Sequence, residues 1–157
     1  MTASPYEALI SDIARDVVEQ AAPQELLIYQ AASAAFFADP KRALRHSRSK
    51  DSALGFGLDP LAVVLTPVIL SVLCGIFEFL VEVAKKAVEA GLEREITDVI
   101  KSMFKRSAGS EPSVLTPQQI ETVHRRVLLA AKKLKLPGGQ AEALADAVLA
   151  QLVLPKM

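Results

Sequence analysis

The chain has 157 residues, 51% of them hydrophobic, which is one domain's worth of sequence with enough apolar material to bury a core. Its 18 Lys or Arg balance 18 Asp or Glu, so the zero net charge gives no global attraction to nucleic acid or to an acidic substrate. A single cysteine, Cys74, excludes an internal disulfide and a multi-cysteine zinc site, and aromatics at 5% with no Trp supply little for an interfacial aromatic belt.

The first element opens with Ser4-Pro5-Tyr6-Glu7, a Ser cap, a Pro at the first helical position and a Glu three residues after the cap. Tyr6, Leu9, Ile10, Ile13, Val17 and Val18 then recur mostly at three- and four-residue spacings, which predicts a helix with one buried stripe ending near Ala22-Pro23. The opening MTASPYEALISDIARD has neither a basic n-region nor an apolar h-region, so the expected location is the cytoplasm, or the cytoplasmic face of the inner membrane, without signal-peptide secretion.

Residues 26–38 carry no charge, but thirteen residues are too few to cross a bilayer as a helix, leaving a core helix or an interfacial segment. Asp39-Pro40 is expected to turn the chain into KRALRHSRSKD, residues 41–51, a basic and poorly periodic loop. Lys41, Arg42, Arg45, Arg48 and Lys50 make it a candidate contact with an anionic surface, where each cation near an anionic leaflet contributes about 1 kcal/mol. Leu54-Gly55-Phe56-Gly57 reads as a flexible connector, since a lone G-x-G with no preceding strand is a weak phosphate signal.

Asp59-Pro60 is expected to start a long helix over about 60–90, kinked near Pro67 where a backbone donor is missing. Its first part, LAVVLTPVILSVLCGIFEFL (61–80), holds thirteen Leu, Val, Ile or Phe, worth roughly −4 to −8 kcal/mol on a membrane-insertion scale. Protein cover rewards the same side chains about equally, so energy alone does not separate a span from a core helix. The pattern is more informative. Pro67, Ser71, Gly75, Glu78, Glu82, Lys85 and Glu89 follow one another by three or four residues, one narrow stripe of small and then charged residues. Ser71, Gly75, Glu78 and Glu82 are accordingly the candidate membrane-packing or self-association face. Gly91 is expected to break the helix, leaving a second one in LEREITDVIKSMFKR.

Residues 107–115 read as a linker between a helical region, 1–106, and an αα-hairpin, 116–157. Thr116-Pro117-Gln118-Gln119 is a capping box, Ile120, Val123, Val127, Leu128, Ala131 and Leu134 form one apolar face, and Leu144, Ala145, Val148, Leu149 and Leu152 form the next. Pro137-Gly138-Gly139 is expected to make the turn between them. No stretch alternates with period two, so the class is all-α, a small helical bundle.

Catalytic signatures are missing: there is no P-loop, H-E-x-x-H, C-x-x-C or G-x-S-x-G. Glu121 and His124 make one Glu-x-x-His, but a di-iron bundle needs two, so no metal or other cofactor is expected. Glu78 and Glu82 at i, i+4 read as a polar stripe rather than a hydrolytic pair. The expectation is a non-enzymatic, membrane-associated helical protein, an anchor or membrane-acting effector that self-associates through 61–80. The alternative is a soluble all-α interaction module or oligomeric scaffold with that segment as its core helix. The expected partners are a second copy of the chain, a membrane, and a protein docking on 116–157, with no nucleic acid.

Overall fold

A computed structural model describes residues 6–46, 64–106 and 114–154, and among these residues the protein is all-α, with no strand. In chain order come α1 (Glu7–Ala21), a 3-10 turn (Pro23–Ile28), α2 (Tyr29–Ala38), α3 (Pro40–His46), α4 (Thr66–Glu89), α5 (Ile96–Ser102), α6 (Pro117–Lys133) and α7 (Gly138–Ala150). The chain divides into two compact units, Met1–Cys74 and Gly75–Met157, with the boundary inside α4.

In the first unit, α1 buries Ile10, Ile13, Val17 and Val18 of the predicted stripe together with Ala14, while Tyr6 and Leu9 are half-buried. Ser4 and Pro5 of the predicted capping box lie outside the described residues. The uncharged segment 26–38 is not one helix. Pro23 opens a 3-10 turn, Ile28 leaves helical geometry with φ −108 and ψ 2, and α2 starts only at Tyr29. Its cover is partial: Tyr29, Ser33 and Phe36 are buried, while Leu27 is 96% exposed. The Tyr29 hydroxyl donates to the Ser11 carbonyl and lies 3.2 Å from Ser11 Oγ, tying α2 to α1.

The basic region is also more ordered than its composition implies. Asp39 Oδ1 accepts the Arg42 N–H at 3.2 Å, and with Pro40 in the first turn this caps α3, so Lys41, Arg42 and Arg45 stand on a short helix rather than in a loop. Arg48, Lys50 and the Gly55–Gly57 connector lie outside the described residues.

Helix α4 begins at Thr66, several residues later than expected, and Val64 and Leu65 before it are not helical. The first helical bond runs from Ile69 N to the Leu65 carbonyl at 2.8 Å. Pro67 therefore sits in the first turn, where its missing N–H has no intrahelical partner to lose, and no kink is required of it. The helix end does match the expectation. Gly91 at φ +113 stops it, with Gly91 N bonded to the Val88 carbonyl and Leu92 N to the Ala87 carbonyl, a geometry that returns the last carbonyls their donors.

In the second unit α5 is shorter than the segment 92–106 predicted for it, and it buries Val99 and Ile100. The chain beyond it runs beside the end of α7: Lys105 N donates to the Gln151 carbonyl and Val153 N to the Met103 carbonyl. Phe104, buried there, stacks on Phe77 of α4 with centroids 5.3 Å apart. Helices α6 and α7 pack as the expected hairpin, with Val123, Val127 and Ala131 buried on α6 and Ala141, Leu144, Ala145 and Val148 buried on α7. The Thr116 capping box is complete, Gln119 N donating to Thr116 Oγ1 and Thr116 N to Gln119 Oε1. The turn, however, is placed earlier than expected. Lys135 takes the left-handed φ of 61, whereas Gly138 and Gly139 belong to the first turn of α7.

Candidate interaction surface

Helix α4 carries two opposed faces. Val68, Ile69, Leu70, Val72, Leu73, Ile76, Phe77, Leu80, Val83 and Ala84 are all buried, while Phe79, Val81 and Val88 are half-buried. Gly75, Glu78, Glu82, Lys85 and Glu89 are exposed and Ser71 is half-buried, so these six lie along one outward stripe. The expected seventh member, Pro67, is buried and does not belong to the exposed stripe, although its four-residue spacing to Ser71 keeps it in register: it lies in the first turn of the helix, where residues 66–70 are all buried. A Cβ added at Gly75 would meet nothing within 4 Å, so the stripe has a flat, open point beside its first carboxylates.

The start of α4 is capped from a distant part of the chain. Its free N–H groups need acceptors. Glu25, from the 3-10 turn 40 residues earlier, supplies them: it is 1% exposed and accepts Leu65 N at 2.8 Å, Thr66 N at 2.7 Å and Thr66 Oγ1 at 2.6 Å. With Pro67 removing a further donor, one carboxylate nearly completes the cap, and its negative end complements the helix dipole. No sequence pattern marks Glu25 for this role beyond its being the last charge before an uncharged segment.

A second surface lies on α6. Arg125, Arg126, Lys132 and Lys133 are exposed, and Leu129, 55% exposed, stands among them. Two of these groups are engaged within the unit: Arg126 lies over the Phe79 ring at 4.7 Å, and Arg125 Nη2 is 3.7 Å from Glu121 Oε1. Glu121 is thus paired with arginine, and His124 faces α7 instead, its Nε2 3.9 Å from Glu142 Oε2. On α3, Lys41, Arg42 and Arg45 are exposed.

No protein-family model, curated protein or solved structure matches the chain. The class that the fold defines is a small all-α bundle with one apolar helix, and the residues themselves carry the functional reading.

Proposed function

We propose that this protein is a non-enzymatic all-α interaction module in which α4 is a core helix, and that copies of it associate along Ser71, Gly75, Glu78 and Glu82. The observation that supports this is the division of α4 into a covered apolar face and an exposed small-then-acidic stripe. Ile69 and Phe77, which a lipid-facing helix would present outward, are 0% and 3% exposed. The face left over is polar and narrow, and the open space at Gly75 lets another backbone approach closely. The exposed basic face of α6 around Leu129 is the proposed docking surface for a protein partner.

Membrane association is the second reading. Two observations favour it: α4 is long and apolar enough to cross a bilayer, and α3 presents Lys41, Arg42 and Arg45 to solvent. On that reading the chain anchors to or acts on a membrane only after α4 leaves its cover.

Expression without detergent followed by size-exclusion chromatography with light scattering, and flotation with anionic vesicles, separates the two. A monodisperse soluble species that stays below the vesicles is expected, with its mass lowered toward one chain by Gly75→Trp. Co-flotation of the wild type would replace the first reading with the second.

A further inference from the structure

The α6–α7 hairpin brings together three metal-ligating side chains that the sequence separates. His124 is on α6, and Glu142 and Asp146 are four residues apart on the facing side of α7. One ligand atom from each lies within 4.8 Å of the other two. We propose that His124, Glu142 and Asp146 form a binding site for a divalent transition-metal ion of the zinc type.

The donor set points to that class. A neutral imidazole with two carboxylates matches the mixed nitrogen and oxygen coordination of zinc, whereas calcium and magnesium favour oxygen alone. Three protein ligands leave a fourth position for water or for a group from a partner. The charges point the same way. Two carboxylates at i, i+4 repel each other on a helix, and among the described residues no lysine or arginine lies within ion-pair distance of either. A bound dication relieves that repulsion. The frame is rigid and the ligands are adjustable: Val123, Val127, Leu144, Ala145 and Val148 beside them are buried, while Glu142 and Asp146 are exposed and His124 is half-buried. Ligand atoms around tetrahedral zinc stand about 3.3–3.5 Å apart for bonds near 2.0–2.1 Å, so side-chain rotation of roughly 1 Å closes the set without moving either helix.

Calorimetric titration of the full chain with Zn²⁺ in chelator-treated buffer tests this. One equivalent per chain is expected, with a melting temperature that rises with free zinc as binding to the folded state alone requires. His124→Ala and the double variant Glu142→Gln with Asp146→Asn each weaken binding by ~10-fold or more. His46→Ala, removing the chain's other histidine, leaves it unchanged. Circular dichroism of each variant without zinc checks that the fold is unchanged. Absent binding in the wild type, half-molar stoichiometry, or undiminished binding by His124→Ala overturns the site.

Discussion

Replacing Glu25 by Ala removes the acceptor for Leu65 N, Thr66 N and Thr66 Oγ1 together, at a place where the carboxylate itself is buried. Each buried donor left without a partner costs about 1–3 kcal/mol, and a lost helix cap about 0.5–2 kcal/mol, figures that overlap because they describe the same groups. A destabilisation of about 3–5 kcal/mol is therefore expected, with water entering the vacated space keeping it below the simple sum. For a chain of this size that lowers the melting temperature by about 6–20 °C. Glu25→Gln keeps one acceptor oxygen but turns an NH2 toward a donor, so it should fall between Ala and wild type. Urea unfolding followed by far-UV circular dichroism reads both, with exposed Glu19→Ala on α1 as the control, expected within about 0.5 kcal/mol of wild type. If Glu25→Ala matched Glu19→Ala, the carboxylate would not be the cap of α4, and the covered state of that helix would need another cause.

Four further outcomes follow from the same geometry. Leu73→Ala or Leu80→Ala, each fully buried on α4, should cost about 2–5 kcal/mol by the same unfolding assay. Gly75→Ala should instead stabilise the isolated chain by about 0.5–1 kcal/mol, because a Cβ there meets nothing and mid-helix glycine is entropically costly. Gly91→Ala has equally open space but a φ of +113, so a loss of about 1–3 kcal/mol is expected from backbone strain alone. Burial pushes the Tyr29 phenol above its usual range, so the folded state holds that proton more tightly than the unfolded chain does. The resulting stability is present below pH about 10 and is lost as pH rises from there toward the folded value; Tyr29→Phe should flatten this limb of the stability curve.

Features built from neighbouring residues were legible in the sequence, and features built across the fold were not. The Thr116 capping box, the stop at Gly91 and the apolar stripes of α1, α6 and α7 depend on spacings of three to five residues, and each lies where the periodicity puts it. The outward stripe of α4 was legible from Ser71 onward for the same reason. The helix start at Thr66 was not, because the cap comes from Glu25, 41 residues earlier, and the Asp59-Pro60 pair lies outside the described residues. The α3 helix was missed although Asp39-Pro40 is the same cap-and-proline pair, since seven residues of basic sequence show no apolar period. His124 illustrates the limit most clearly. Local spacing pairs it with Glu121, but Glu121 meets Arg125, and the side chains facing His124 come from the next helix, 18 and 22 residues on, placed by a turn at Lys135 that no left-handed signal announces.

Alkaline carbonate extraction of membranes from cells expressing the full chain tests most directly whether α4 is a core helix or a span. Recovery of the protein in the soluble and carbonate-released fractions is the result that a covered α4 predicts. Retention in the carbonate-resistant pellet, for the wild type and equally for Gly75→Trp, would contradict it and place Leu65–Leu80 in lipid.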